Sequence, residues 1–201
     1  MNNQKKPKAV SSALKILIAG TYATGKTTLA KRLRDELDTL GINTELISGV
    51  PRYCPYALNT QQTVFASAWI MGEQIRAEIE ASVGNIKVLI CDRGIPDFFS
   101  HTKVLSFESE KEEKLFGIIQ EIASSWSRTY DLVFWAHLDP NREIEADEIR
   151  VTQKEYQMKM EFSIRETFDI LHITPTVLPN NLDDRVEIIK TEVCRVLDKK
   201  R

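Results

Sequence analysis

Residues 20–28 read GTYATGKTT and directly follow the apolar run ALKILIA of residues 13–19. A short apolar run with β-branched residues that ends at a glycine is typical of a buried strand. From residue 26 onward, leucines recur every three or four positions, as on one face of a helix, at Leu29, Leu33, Leu37 and Leu40. The quoted stretch therefore connects a predicted strand to a predicted helix, and it places two glycines and a lysine at that junction.

The stretch from Gly20 to Thr27 fits the pattern G-x-x-x-x-G-K-[S/T] in its required strand–loop–helix context. Glycine permits a backbone curl in which N–H groups point into one concavity, and the helix N-terminus adds further donors and partial positive charge. Lys26 supplies a charge for the β- and γ-phosphates, and the Thr27 hydroxyl supplies a ligand for Mg²⁺. The pattern predicts a site for Mg²⁺ and for ATP as phosphoryl donor, formed by Gly20, Thr21, Tyr22, Ala23, Thr24, Gly25, Lys26, Thr27 and Thr28.

Strand-like and helix-like segments alternate along the rest of the chain. Apolar runs predict further strands at residues 43–48, 86–91, 130–138 and 174–178. Helical spacing predicts helices that begin near residues 60, 110, 152 and 184. Strands separated by helices pair in parallel with right-handed crossovers, so we expect a three-layer α/β fold with a mostly or fully parallel five-stranded sheet. We expect one domain over residues 13–201, preceded by a disordered tail of residues 1–12.

Composition excludes several classes of partner. The formal net charge is −2, from 27 basic and 29 acidic residues, which gives no general attraction to nucleic acid or to an anionic membrane. No stretch approaches the roughly 18 apolar residues of a membrane span, and no apolar signal segment follows the polar N-terminus. The three cysteines have no metal-ligand spacing and are most simply reduced thiols. We expect a cytoplasmic protein that binds neither nucleic acid nor membrane.

A carboxylate follows the third predicted strand, where Asp92 comes directly after the run IKVLIC. The carboxyl end of a buried strand beside the phosphate-binding turn is where a ligand for Mg²⁺, or an acceptor of the substrate's proton, is needed. The alternative is that Asp92 caps the following helix, a role that aspartate fills readily. We favour the metal and catalytic role.

Residues 91–101 read CDRGIPDFFSH and resemble the Asp-Arg motif of the thymidylate-kinase-like and deoxynucleoside-kinase-like branch of P-loop kinases. The resemblance implies that Arg93 holds the acceptor substrate near the γ-phosphate and so belongs to the catalytic set with Lys26 and Asp92. A guanidinium suits bidentate recognition of phosphate, although a surface salt bridge is the alternative interpretation of Arg93.

The resemblance extends from about residue 13 to residue 190, over which the chain is similar to P-loop kinase-like ATPases of the AAA type. The matching pieces are Arg52, Cys54 and Pro55 after the second strand, Trp69, Ile70, Gln74, Ile75, Glu78, Ile79 and Glu80 on the next helix, and Cys91, Asp92, Arg93 and Asp97. It implies that Arg52, Tyr53, Arg93 and Asp97 bind the acceptor and that Asn180 lies beside the adenine. It also implies a helical lid at about residues 139–151, in which Arg142 and Arg150 are catalytic.

Two departures from the family pattern bear on catalysis. Relatives have a glutamate shortly before the arginine of the second-strand loop, where deoxynucleoside kinases keep a catalytic base, and here that place is Gly49. The lid pattern Asp-Gly-x-Arg occurs as Asp147-Glu-Ile-Arg150, without the glycine. If a base is needed, Asp92 or Asp97 must serve.

The sequence favours a phosphotransferase that moves the γ-phosphate of Mg·ATP to a nucleoside or nucleotide. The alternative is an ATP-dependent switch or ATPase that acts on a partner. Residues 180–183 read NNLD and lack the lysine of the guanine signature Asn-Lys-x-Asp, so a signalling GTPase is not favoured. A homodimer through helices near residues 64–79 or 115–126, as in related kinases, is compatible with the sequence but is not required by it.

Overall fold

The computed structural model describes residues 13–139 and 154–199, within which strands alternate with helices. The strands are β1 (Leu14–Ala19), β2 (Thr44–Ser48), β3 (Val88–Asp92), β4 (Leu132–Trp135) and β5 (Thr176–Val177). The α-helices are α1 (Lys26–Thr39), α2 (Val64–Ala81), α3 (Ile95–Thr102), α4 (Glu110–Trp126), α5 (Lys154–Ile170) and α6 (Leu182–Lys199). Short 3-10 turns cover Val50–Tyr53, Asn59–Gln61 and Ser127–Thr129.

The five strands form one sheet in the order β2-β3-β1-β4-β5, and every neighbouring pair is parallel. The predicted α/β fold with a parallel five-stranded sheet is therefore confirmed. Because β1 is the central strand, its carboxyl end lies between the carboxyl ends of β3 and β4. In open parallel sheets, ligands bind outside the carboxyl ends of the strands, where the strand order reverses.

Alternate residues of β1 pack into two different cores. Leu14, Ile16 and Ile18 pack with residues of α1 and α6 on one face of the sheet. Leu17 and Ala19 pack with residues of α5 on the other face. Helices thus cover both faces of the sheet, as the three-layer prediction requires, and β1 is buried on both sides.

The structure contains a helix that the sequence pattern did not predict. Helix α3 spans only eight residues, Ile95–Thr102, which is too short for a helical repeat to be recognised. Pro96 is accommodated in its first turn, where a backbone N–H has no intrahelical partner. This helix begins directly after the Asp-Arg motif and therefore fixes the direction in which that motif leaves the sheet.

Two helix starts differ from the prediction because a side chain caps the helix elsewhere. Helix α2 begins at Val64 rather than near residue 60, since the Thr63 hydroxyl accepts the N–H of Ala66 at 3.3 Å. Helix α6 begins two residues before the predicted start, since Asn181 Oδ1 accepts the N–H groups of Asp183 and Asp184 at 2.8 and 3.1 Å.

Most of the expected lid lies outside the described residues, which end at Asp139 before this segment and resume at Lys154. The tail of residues 1–12 lies outside them too, so the division into a tail and a single domain stays a prediction. Over the residues that are described, no helix has the length and apolar character needed to span a membrane.

Candidate active site

The phosphate loop, residues 20–27, leaves the carboxyl end of the central strand through a position that only glycine fits. Gly20 has φ = 147°, and a Cβ atom there would lie 2.4 Å from the Ala136 carbonyl oxygen. Gly25, at the start of α1, has φ = 83°, and Ala23 has φ = 60°. Because left-handed backbone is unfavourable for alanine, the conformation of Ala23 indicates that contacts from outside the loop hold its shape.

Side chains from three helices bind carbonyl groups of the phosphate loop. Lys26 Nζ donates to the Thr21 carbonyl oxygen, and Gln157 Nε2 donates to the Tyr22 carbonyl oxygen at 2.9 Å. Arg185 Nη1 donates to the Thr24 carbonyl oxygen at 2.7 Å. These hydrogen bonds satisfy three carbonyl groups of the loop, and an anion bound in the loop would be held by its N–H groups.

Sequence reasoning missed Gln157 and Arg185, which are both 3% exposed. Each lies in helical register with apolar core residues: Gln157 three positions before Met160, and Arg185 four before Ile189. A polar or charged residue at a core-facing position of an amphipathic helix was the available signal.

Lys26 is almost completely buried, with 4% of its surface exposed. Its ammonium group donates to Thr24 Oγ1 at 3.1 Å as well as to the Thr21 carbonyl oxygen. Burial, reinforced by Arg93, lowers the pKa of Lys26 to about 7, although nearby carboxylates act in the opposite direction. A triphosphate placed beside this amine would favour its charged form and offset the cost of burial.

Glu161 of α5 is one of those carboxylates and was not predicted. Its Oε1 accepts the Leu138 N–H at 2.9 Å, and its Oε2 is buried. Burial raises the pKa of Glu161, while the Leu138 N–H and Lys26 act against this shift. The carboxyl group thus joins the end of β4 to α5 beside the phosphate loop.

Asp92 lies at the carboxyl end of β3 and is bound by two hydroxyl groups. Its Oδ2 accepts hydrogen bonds from Thr27 Oγ1 and from Ser48 Oγ, each at 2.6 Å. Gly94, rather than Asp92, is the N-cap residue of α3. A carboxylate and hydroxyl oxygens next to a phosphate-binding loop form the hard-oxygen donor set that Mg²⁺ prefers, so these residues fit that ion.

Asp97 connects the phosphate loop to the Asp-Arg motif. It is 1% exposed, and its two oxygens accept the N–H groups of Gly20 and Gly94 at 2.9 and 3.1 Å. Burial raises the pKa of Asp97, opposed first by Arg93 and then by the Gly20 N–H and Lys26. The geometry makes Asp97 a support of the phosphate loop, and its expected contact with an acceptor stays a prediction.

Arg93 has a left-handed backbone, with φ = 73°. Its guanidinium forms no hydrogen bond or ion pair with any residue in 13–139 or 154–199, so it does not take part in the surface salt bridge considered from the sequence. It lies close enough to Lys26 and Asp97 to influence their pKa values. Arg93 is therefore available to an anion on the phosphate-loop side of α3.

The acceptor loop, residues 49–62, contains the remaining residues expected to bind the acceptor. Arg52 and Tyr53 both lie on the surface, and Tyr53 is 79% exposed. Gly49, which stands where relatives have a glutamate, has φ = 75° and begins the 3-10 turn Val50–Tyr53. Glutamate would be strained in that left-handed backbone, which gives a local reason for glycine.

A cavity of about 250 Å³ adjoins the phosphate loop and is lined by Thr24, His137, Asp139, Asn180 and Arg185. Asn180, expected beside the adenine, thus shares a cavity with the loop that is expected to bind the phosphates. Arg142 and Arg150 lie outside the described residues, so their catalytic role stays a prediction.

Comparison with known proteins agrees with this fold. The profile that describes an AAA domain matches residues 15–185. No curated protein matches the chain significantly.

Among solved structures, deoxyadenosine kinase from M. mycoides, with dCMP and dCDP bound, has a TM-score of 0.63 at 14% identity, over 90% of this chain and 99% of that one. Thymidylate kinase from Candida albicans has a TM-score of 0.59 at 19% identity, covering 94% and 92%. The YorR protein of Bacillus subtilis, in complex with phosphorylated GDP, has a TM-score of 0.57 at 15% identity, covering 93% and 98%.

The parallel sheet and the phosphate loop give the chain a P-loop fold of the nucleotide-kinase-like type. More narrowly, the chain belongs to the AAA domain family whose profile it matches over residues 15–185. The expected homodimer and cytoplasmic location stay predictions.

Proposed function

We propose that this protein transfers the γ-phosphate of Mg·ATP to a nucleoside or nucleotide. The observation that carries the proposal is the juxtaposition of three groups at the carboxyl edge of the sheet: the phosphate loop with Lys26, the Thr27–Asp92 pair, and Arg93, whose guanidinium has no partner among the described residues. The nucleotide-kinase-like fold supports the same class of reaction, although a fold alone does not establish an activity.

Transfer forms a bond from an acceptor oxygen to the γ-phosphorus and breaks the bond to the bridging oxygen, so that ADP leaves. The chain contributes by positioning and by charge: the loop N–H groups and Lys26 hold the β- and γ-phosphates, and Arg93 holds the acceptor in line. Mg²⁺ held by Thr27 and Asp92 would neutralise charge on the phosphate oxygens. Arg142 and Arg150 of the expected lid would stabilise charge on the transferring group.

Nucleoside and nucleotide acceptors differ in whether the reacting oxygen must lose a proton. A nucleoside hydroxyl must lose a proton, and with glycine at position 49 that task falls to Asp92. A nucleotide phosphate is largely ionised at neutral pH, since its second pKa is about 6, and needs no base.

The second candidate is an ATP-dependent switch or ATPase that acts on a partner. Gly49 is the observation that favours it, because the usual position of the base is left without a carboxylate. In such a protein, ATP turnover needs no small-molecule acceptor, and Arg93 has no acceptor to bind.

The deciding experiment measures ATP-coupled ADP formation with a panel of nucleosides and nucleotides. We expect turnover that depends on one acceptor class. Arg93→Ala should raise the acceptor KM or abolish transfer with ATP affinity little changed, and Arg150→Ala should lower kcat by about 10²-fold, as loss of a single preorganised donor does.

Arg76→Ala is the matched control, because Arg76 lies on α2, its side chain is 56% exposed, and among the described residues its ion pairs are with its helix neighbours Glu73 and Glu80. It should leave turnover unchanged. Acceptor-independent ATP turnover that survives Arg93→Ala would instead support the switch.

A further inference from the structure

A buried polar cluster, the Glu78 hub, lies beneath the Asp-Arg motif and consists of Lys15, Gln74, Glu78, Trp126 and Tyr130. Glu78 is 1% exposed and accepts four hydrogen bonds. Its Oε1 accepts from Tyr130 Oη at 2.7 Å and from Gln74 Nε2 at 2.9 Å. Its Oε2 accepts from Trp126 Nε1 at 2.7 Å and from Lys15 Nζ at 2.8 Å.

Each oxygen of the buried Glu78 carboxylate accepts two hydrogen bonds, and the Lys15 ammonium balances its charge. The Lys15 ammonium also lies over the rings of Trp126 and Tyr130, 4.9 and 4.6 Å from their centroids. Burying an ion pair is costly unless further hydrogen bonds satisfy it, and a buried carboxylate with four donors meets that condition. In the sequence, Glu78 and Gln74 stand out only through their place in the family pattern.

Two members of the hub contact the turn that carries Arg93. Gln74 Nε2 donates to the Arg93 carbonyl oxygen at 3.4 Å, and Tyr130 Oη accepts the Ile95 N–H at 3.1 Å. A Cβ atom on Gly94 would lie 2.5 Å from Tyr130 Oη, so glycine is what lets the ring come this close. The hub thus contacts the residue on each side of Gly94.

The backbone of this turn shows why it needs support. Arg93 takes the left-handed conformation, with φ = 73°, whereas Gly94 beside it is extended, with φ = −156°. A free Arg-Gly pair would place the left-handed residue at glycine, since left-handed backbone is strained for most residues that have a side chain. The observed arrangement therefore depends on contacts from outside the turn.

We propose that Glu78 is a positioning residue, which orients Gln74 and Tyr130 so that they hold the turn in the conformation that presents Arg93 to the acceptor. The inference rests on the proposed function for the role of Arg93. The hub's hold on the turn is a separate matter of geometry and is tested separately. Glu78 acts only through these neighbours, since its carboxylate is buried and enclosed by the four donors.

The test compares the loss of donors to Glu78 Oε1, which also contact the turn, with the loss of a donor to Oε2, which does not. The double variant Gln74→Met with Tyr130→Phe removes the two groups that face the turn. The matched control Trp126→Phe removes a donor from the opposite oxygen of Glu78 and leaves the turn untouched. Neither the double variant nor Trp126→Phe changes the charge of the Lys15–Glu78 pair. Both variants should therefore fold, with a lowered Tm.

A crystal structure of each variant gives the first readout, the φ angle of Arg93. We expect this angle to leave the left-handed region in the double variant and to stay near its present value in Trp126→Phe. The second readout is kinetic: the double variant should lose about 10²-fold in kcat/KM for the acceptor, as misplacement by an ångström does, with an unchanged Mg·ATP-induced rise in Tm.

A double variant that keeps Arg93 left-handed, or one that loses no more acceptor kcat/KM than Trp126→Phe at equal loss of Tm, would overturn the inference. Glu78→Gln, which keeps the shape and removes the charge, should shift Arg93 in the same direction as the double variant. If the wild-type protein phosphorylates no member of the nucleoside and nucleotide panel, the proposed function fails, while the φ angle of Arg93 still decides the role of the hub.

Discussion

The phosphate loop and the acceptor loop differ in how firmly the rest of the molecule holds them. In the phosphate loop, Thr21 and Thr24 are at most 2% exposed, and side chains from α1, α5 and α6 bind its carbonyl groups. In the acceptor loop, Tyr53 and Tyr56 are 79% and 52% exposed. The threonines of the phosphate loop are thus buried and its carbonyl groups are bound by other elements, whereas the tyrosines of the acceptor loop are exposed to solvent.

This difference has a physical interpretation. A loop that binds phosphate must hold its N–H groups in place before the ligand arrives, and burial and outside hydrogen bonds provide that preorganisation. A loop that selects one acceptor can remain exposed, because its side chains gain their contacts only when the acceptor binds. We therefore expect substitutions in the phosphate loop, or in the side chains that bind it, to change stability or ATP binding. Exposed side chains of the acceptor loop should affect only the kinetics with the acceptor.

Lys26→Ala should give the largest effect. Saturating ligand at 100 times its Kd stabilises a protein by about 2.7 kcal/mol, and loss of the Lys26 charge should remove most of the Mg·ATP-induced rise in Tm. Thermal melts with and without Mg·ATP measure this, each variant against its own ligand-free Tm. Lys31→Ala, at an exposed position of the same helix, is the control and should keep the full rise. An intact rise in Lys26→Ala would show that the loop does not bind the triphosphate.

Arg185→Met should rank second. It tests whether residues outside the phosphate loop, residues 20–27, contribute to ATP binding. The variant removes donors from the Thr24 and Pro179 carbonyl oxygens, and each buried acceptor left unsatisfied costs about 1–3 kcal/mol. We expect a lower Tm together with weaker ATP binding, measured by calorimetry. Arg195→Ala removes a surface ion pair with Glu192 on the same helix and should change neither the Tm nor ATP binding. Normal ATP affinity in Arg185→Met would mean that Arg185 does not help the phosphate loop to bind ATP.

A pH dependence at His101 of α3 should rank third and tests whether water reaches the buried Nε2 of this half-buried side chain. Burial, with further contributions from Arg93 and Lys26, lowers the pKa of His101 to about 3. The unfolded chain therefore binds this proton first as the pH falls below about 6.5, so stability is fully present above that value and is lost toward pH 3.

The loss should approach, at most, about 1.4 kcal/mol per pH unit. Urea unfolding of wild type and of His101→Asn between pH 7 and about pH 5 measures it, with a flatter profile expected for the variant. His172→Asn, at an exposed position, is the control. Equal slopes for wild type and His101→Asn would mean that water reaches this histidine.

Tyr53→Ala should give the smallest effect on stability. Exposed surface substitutions usually stay within about 0.5 kcal/mol, so the Tm and the Mg·ATP-induced shift should remain at wild-type values. If Tyr53 contacts the acceptor ring, the acceptor KM should rise by about twofold to 13-fold, which corresponds to the roughly 0.5–1.5 kcal/mol of an aromatic pair. Steady-state kinetics with Tyr56→Ala alongside measures this, and a lowered Tm in Tyr53→Ala would contradict the surface assignment of the acceptor loop.

The sequence by itself determined the parallel α/β fold and the place of the phosphate loop. The apolar runs of β1 and β3 are local patterns, and the glycines and Lys26 follow from what a phosphate needs at a strand–loop–helix junction. Asp92 was predictable for the same reason, since the carboxyl ends of parallel strands meet at one edge of the sheet.

Only the tertiary structure decided which distant side chains hold that site together. Gln157 and Arg185 bind the phosphate loop across sequence separations of 135 and 161 residues, and Tyr130 of the Glu78 hub binds the Ile95 N–H across 35 residues. No local pattern encodes such contacts, because each depends on how helices pack across the sheet. The left-handed Arg93 beside an extended Gly94 has the same cause: local preference favours the reverse, and packing against the Glu78 hub overrides it.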